Sequence, residues 1–231
     1  MKTKAVIFDF DGTLGVAGTG SSSWGRVWKA LDDEETDIKF YNMYARGEID
    51  DPTWMRLIEE RFVELKLSKS LLEDLAKNIR LISGIEKTFE YFLKNNIKVY
   101  VISGGVKNLI EAKLLPFNKY ITRIEGYQFN FKNGMFSGFE QTKDCLDDKH
   151  KYVEVIKHEN NILGEEILFV GNGKNDQTVY LSGARTLCIN PDDADYKNTK
   201  YWDFYIEKCS DLTQIFEYLE KGKNKNVQAT K

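Results

Sequence analysis

Short apolar runs alternate along this chain with longer stretches of helical period. Val6-Ile7-Phe8, Val99-Tyr100-Val101-Ile102 and Ile167-Leu168-Phe169-Val170 are uninterrupted apolar blocks of strand length. Each is followed at once by small or polar residues, the pattern of a buried strand leaving a sheet. Between the first and second block, residues 24–81 carry helical spacing: Trp24, Val27, Trp28 and Leu31, then Trp54, Leu57, Ile58, Phe62 and Leu65, then Leu71, Leu72, Leu75 and Ile79. Strand signals are missing there, so a helical insertion of roughly 60 residues is expected directly after the first strand.

Further along, the periods predict a helix over residues 84–95, a strand over 97–102, a Ser103-Gly104-Gly105 turn, and a helix over 106–115 stopped near Pro116. A short strand over 121–125 leads into alternating Tyr127, Phe129 and Phe131, the turn pair Asn133-Gly134, and residues 135–139, a β-hairpin. A helix over 146–157, a strand over 167–170, a short helix over 176–181, strands over 186–189 and 204–206, and a closing helix over 212–219 complete the pattern. Such alternation implies an α/β fold with a doubly wound parallel sheet.

Composition narrows this picture without redirecting it. With 231 residues, 42% hydrophobic and 30% charged, the chain can hold one substantial domain with a sizeable insertion, or two small domains. A net charge of -3 offers no general attraction to nucleic acid or an anionic membrane. No run reaches the length of a membrane helix and the amino terminus passes straight into a strand, so a cytoplasmic protein is expected. Cys145, Cys188 and Cys209 are odd in number and far apart, which argues for free thiols; His150 and His158 lack the partners of a zinc site or a catalytic triad.

The chemistry concentrates at the carboxyl ends of the three apolar blocks, where open α/β sheets bind ligands. Asp9 and Asp11 bracket Phe10 after the first, and strand alternation points both carboxylates the same way, an arrangement that calls for a cation. Ser103 follows the second block; Asn172, Asn175 and Asp176 follow the third, with Lys149 in between.

Taken together, Asp9-Phe10-Asp11-Gly12-Thr13, Val101-Ile102-Ser103-Gly104-Gly105, Lys149 and Gly171-Asn172-Gly173-Lys174-Asn175-Asp176 resemble the four-motif signature of the haloacid dehalogenase superfamily, and within it the phosphoserine phosphatase-like branch. The hairpin over residues 131–138 also looks like that branch. The resemblance implies a core of residues 1–16 and 82–222, a helical cap over 17–81, and a polar tail over 223–231. It also implies a Mg²⁺-dependent phosphomonoesterase acting on a small phosphorylated metabolite. Asp9 would be the nucleophile that forms an aspartyl-phosphate, and Asp11 the general acid and base. Mg²⁺ would be held by Asp9, the Asp11 carbonyl, Asn172 and Asp176, the last directly or through water. Lys149 would bridge nucleophile and phosphate, and Ser103, the Gly104 amide and Asn175 would hold phosphate oxygens.

Two departures stand out. Asn172 occupies a place where the family usually has aspartate, which keeps an oxygen donor but removes a charge, so weaker Mg²⁺ binding is expected. No carboxylate stands near Gly18, where phosphoserine phosphatases hold the substrate amine, which disfavours phosphoserine. Arg56 and Arg61 are the candidates for a substrate-facing arginine on the cap. Trp24, Trp28, Tyr41, Tyr44 and Trp54 are expected mainly to form the cap's own core, with one or two lining the pocket. A catalytically weak phosphate-binding regulatory protein and a phosphotransferase are the competing readings; Asp11 argues against a dehalogenase.

Overall fold

A computed structural model describes residues 2–16, 22–140, 148–192 and 200–223. Its centre is β1 (Ala5–Phe8), four residues with every side chain buried. β1 pairs in parallel with β4 (Lys98–Val106) on one side and β8 (Ile167–Gly171) on the other. β5 (Ile121–Tyr127) extends the sheet beyond β4, and β9 (Arg185–Ile189) and β10 (Phe204–Ile206) extend it beyond β8. The order β10-β9-β8-β1-β4-β5 therefore changes direction at β1, a topological switch point of the expected doubly wound sheet.

Alternation along β1 divides the core into two layers. Val6 and Phe8 face one layer with Phe89 and Phe92 of α5 (Ile85–Lys94) and Leu109 of α6 (Lys107–Leu114). Ala5 and Ile7 face the other, with Val153 and Ile156 of α7 (Lys149–Asn160). Both faces of the central strand are thus covered by helices.

Several elements differ from expectation. β4 continues through Ser103-Gly104-Gly105 to Val106 instead of turning there, with its register against β5 shifting between Ile102 and Val106. The glycine pair lets neighbouring side chains approach the backbone closely: a Cβ on Gly105 would collide with Ser23 and Asp11. Residues Lys174–Ser182 and Leu212–Tyr218 form 3₁₀ rather than α turns. In the first, Asp176 accepts from the Asn172 and Gly173 amides at 2.9 and 3.0 Å, drawing the chain into a tighter entry. α7 runs past residue 157 to Asn160 and is closed by left-handed Asn161; its expected first residues, 146–147, lie outside the described residues, as do Cys145, residues 17–21 and the tail beyond residue 223. The two described cysteines, Cys188 and Cys209, are free and buried.

The segment between β1 and α5 holds four helices: α1 (Ser23–Ala30), α2 (Glu34–Ala45), α3 (Asp51–Glu64) and α4 (Lys69–Lys77). At its two ends β2 (Gly15–Val16) pairs antiparallel with β3 (Arg80–Leu81), so the last residues of the expected 17–81 span form part of a two-stranded stem. α1 and α3 pack through Trp24, Trp28 and Phe62 onto the hairpin of β6 (Phe129–Lys132) and β7 (Met135–Phe139), with Trp28 and Phe62 ring centroids 4.6 Å apart and Trp24 and Phe129 5.3 Å apart. α2 buries no residue fully. Among the described residues, no helix is long and apolar enough to cross a membrane.

Candidate active site

The parallel register aligns the strand ends. Phe8 stands opposite both Val101 and Val170, so the residues that follow on β1, β4 and β8 converge: Asp9 and Asp11, Ser103, and Asn172. Beyond β1 the chain folds into a compact loop in which the Gly15 and Thr13 amides donate to the Phe10 carbonyl at 2.8 and 3.1 Å. Gly12 has φ of +81° and lies so close to the Asn172 amide that a Cβ would strike it; glycine is needed here for both the backbone angle and the approach.

Asp9 is 4% exposed and Lys149 is fully buried. The Lys149 ammonium donates to Asp9 Oδ1 at 2.7 Å and to Asp176 Oδ1 at 2.5 Å. Asp176 Oδ2 accepts the two backbone amides already described, so both of its oxygens are committed. By contrast, only Oδ1 of Asp9 has a hydrogen-bond partner among the described residues, while the residue itself lines a cavity of about 220 Å³. One ammonium between two buried carboxylates leaves the group a negative charge. Burial pushes the Asp9 carboxyl up to about 7 against the pull of Lys149. Burial also works against the Lys149 ammonium, yet Asp176 and Asp9 prevail and raise its affinity for the proton.

Asp11 is held separately. Its Oδ2 accepts from the Ser23 amide at 2.9 Å and the Ser23 hydroxyl at 2.6 Å. The Ser23 hydroxyl in turn accepts the Val106 amide at 2.9 Å, tying α1 to both the β1 loop and the end of β4. Burial raises the Asp11 pKa; the Ser23 hydrogen bonds and the nearby Arg26 and Lys149 charges moderate it.

Asn172 occupies the remaining corner. Its Oδ1 accepts from Thr13 Oγ1 at 3.2 Å and its Nδ2 donates to Asp192 Oδ1 at 2.5 Å. Asp192 follows β9 and lines the same cavity, together with Ser103, Gly104 and Asn175. Ser103 is 2% exposed, and its hydroxyl accepts the Gly105 amide at 3.2 Å. All eight residues singled out from the sequence, Asp9, Asp11, Ser103, Gly104, Lys149, Asn172, Asn175 and Asp176, therefore lie at or directly behind one cavity. Sequence reasoning missed Ser23 and Asp192. Ser22-Ser23 opening a helical period was a cap signal, and Asp192 sits just past a further strand, where the strand-end rule also applies.

The donor set suits a hard cation. Among the described residues no three His, Cys, Asp or Glu side chains form a metal cluster. A cation here would be held by few carboxylates along with amide and backbone oxygens and water, a mixture that Mg²⁺ accepts. The carboxylate surplus of Asp9, Asp11, Asp176 and Asp192 over the buried Lys149 supplies the attraction.

Residues 6–179 match the family of haloacid dehalogenase-like hydrolases. The chain belongs to that family. It is 25% identical over 99 residues to human phosphoserine phosphatase, a match that spans 42% of this chain and 43% of the human enzyme. Among solved structures it is similar to a phospho-aspartyl intermediate analogue of phosphoserine phosphatase, with a TM-score of 0.70, 24% identity and coverage of 94% of this chain and 99% of the other. It is also similar to a haloacid dehalogenase family hydrolase of Salmonella enterica serovar Typhi, with a TM-score of 0.77, 14% identity and coverage of 96% and 72%. These likenesses agree with the doubly wound sheet and its helical insertion.

The helices beside the site contribute a second cavity of about 340 Å³, which shares Ser22, Trp24 and Gly104 with the first. Trp24 stands between the two and donates from Nε1 to the Gly104 carbonyl at 2.8 Å. Four of the aromatic residues expected mainly as core, Trp24, Trp28, Tyr41 and Trp54, line it, while Tyr44 stacks on Trp54 with ring centroids 4.5 Å apart. Neither Arg56 nor Arg61 is among the lining residues. Arg56 pairs with Glu60 at 2.7 Å, and Arg61 with Asp33 at 2.6 Å and Glu64 at 2.7 Å.

Proposed function

We propose that this protein is a Mg²⁺-dependent phosphomonoester hydrolase that works through an aspartyl-phosphate. The observation that carries the reading is the division of labour between two adjacent carboxylates. Asp9 is fixed by the buried Lys149 and lines the cavity, while Asp11 is held apart by Ser23. A nucleophile and a proton-transfer group need such separate environments. The family match and the named activity of the similar phosphoserine phosphatases support it.

In this reading Asp9 attacks phosphorus while Asp11 delivers a proton to the departing alkoxide. Asp11 then takes a proton from the water that cleaves the acyl phosphate. Ser103, the Gly104 amide and Asn175 hold phosphate oxygens, and Lys149 offsets charge on Asp9 from behind. Asp9, the Asp11 carbonyl and Asn172 would hold Mg²⁺, with Asp176 acting through water and through its grip on Lys149. The metal, when bound, neutralises the phosphate charge that Asp9 would otherwise repel. Residues 17–81 serve as the cap, and their movement on the β2 and β3 stem admits substrate.

Asp9→Asn is expected to lower p-nitrophenyl phosphate turnover by at least about a thousandfold, in line with the loss of a covalent nucleophile, with no change in the urea midpoint beyond that of a conservative buried substitution. Residual activity near wild type in the purified variant would remove Asp9 from this role. Failure of wild type to turn over the ester in Mg²⁺ would favour a binding protein instead.

A further inference from the structure

Resting on the phosphatase reading, the second cavity defines what the phosphate is attached to. Trp24 lines both cavities, so a leaving group that extends from a phosphoryl group at Asp9 past Trp24 would enter the space lined by Trp28, Tyr41, Trp54 and Tyr127. Aromatic faces hold apolar groups and attract cations through their ring quadrupoles. One carboxylate joins them. Asp37, in the first turns of α2, lines this cavity half-buried, and no lysine, arginine or histidine lies within ion-pair distance of it among the described residues. Burial alone raises its pKa, consistent with a charge lacking a counter-ion. Among the described residues, no basic side chain lines the cavity to receive a substrate carboxylate.

We infer that the leaving group is a small alcohol bearing an alkylammonium cation, its methyl or methylene surface against the indole and phenol faces and its charge facing Asp37. Phosphoserine, which carries a carboxylate beside its ammonium, is disfavoured by the same group. Choline is the probe of the right class, and 3,3-dimethylbutan-1-ol is its uncharged isostere.

The test has a binding arm and a kinetic arm. Three of the four tryptophans line the cavity, so indole fluorescence reports its occupation. Choline is expected to bind about tenfold more tightly than the isostere, a ratio typical of a cation on aromatic faces. The ratio should fall toward one in Asp37→Asn and, independently, decrease in Tyr41→Ala, whose side chain is largely exposed and removable without disturbing the core. In turnover, kcat/KM for phosphocholine over 3,3-dimethylbutyl phosphate should follow the same ratio. Equal affinity for the charged and uncharged alcohols, or an unchanged ratio in Asp37→Asn, overturns the inference. If p-nitrophenyl phosphate is not hydrolysed with Mg²⁺ the phosphatase reading fails, while the fluorescence titration still decides the cavity.

Discussion

The two adjoining cavities are built on opposite terms. At the sheet end, the charged and amide side chains are tied to one another: Lys149 to two carboxylates, Asp176 to an ammonium and two amides, Asp11 to Ser23, Asn172 to Thr13 and Asp192. Beside the helices, the lining is largely aromatic, its carboxylate has no ion-pair partner among the described residues, and α2 buries no residue fully. In the first cavity the side chains are tied chiefly to one another; in the second, Asp37 has no ion-pair partner among the described residues. In the proposed function this contrast corresponds to reaction chemistry on the parallel sheet and selectivity on the inserted helices, where sequence can change without disturbing the polar cavity.

The largest expected effect lies at the centre of the polar cavity. Lys149→Met would leave Asp9 and Asp176 buried without their shared ammonium, a change that typically costs about 3–5 kcal/mol of stability. Chemical denaturation measures it. On the helical side Asp37→Asn should shift stability by less than about 0.5 kcal/mol, because no protein contact depends on that charge. Comparable losses at both positions would erase the distinction between the two regions.

Asn172 sharpens the comparison within the polar side. In Asn172→Asp the 2.5 Å amide hydrogen bond to Asp192 is replaced by two facing carboxylates. Without metal this should lower stability by about 1–3 kcal/mol through the lost hydrogen bond and unscreened charge. Added Mg²⁺ should recover more than it recovers in wild type, since a ligand that binds only the folded state stabilises it. Melting temperatures with and without Mg²⁺ provide the readout. An identical Mg²⁺ response in both proteins would place residue 172 outside the metal's reach.

Much of this polar side was legible in the amino-acid sequence, because buried parallel strands leave unbroken apolar blocks and the residues just past them converge when the strands pair in register. Val6-Ile7-Phe8 pointed to Asp9, and Ile167-Leu168-Phe169-Val170 to Asn172, by that logic alone. Asp192 was hidden because its relevance depends on a side-chain contact across 20 residues. The course of β4 through Gly104-Gly105 was misread since two glycines signal a turn locally, whereas β4 continues through them and its pairing with β5 resumes at Val106 after a register shift. α2 left little signal: its apolar residues Ile38, Phe40, Tyr41 and Met43 do not gather into one strong stripe, and Ile38 and Tyr41 remain exposed. Helices that line a cavity are read least well because their apolar residues serve a ligand as much as a core.

The smallest expected effect concerns the outer helices and tests whether Arg61 belongs to the substrate side at all. Arg61 links α3 to Asp33 at the start of α2, and this pairing holds the Asp33 carboxyl below its ordinary value of 3.8. A carboxylate whose folded pKa is depressed contributes stability above its unfolded pKa, and the contribution disappears as pH falls through the folded value. Arg61→Ala should therefore lower the denaturation midpoint slightly at pH 7, by less than Lys149→Met or Asn172→Asp does. The gap from wild type should begin to narrow near pH 3.8 and close only as pH falls through the lower folded value, where Asp33 is protonated in both proteins. Since Arg61 does not line the aromatic cavity, KM for any phosphomonoester should move by less than about twofold, in line with the small energetic reach of a surface ion pair. A large rise in KM without a change in kcat would bring Arg61 into substrate binding, and the helical side would then hold an anion-recognising group as well as Asp37.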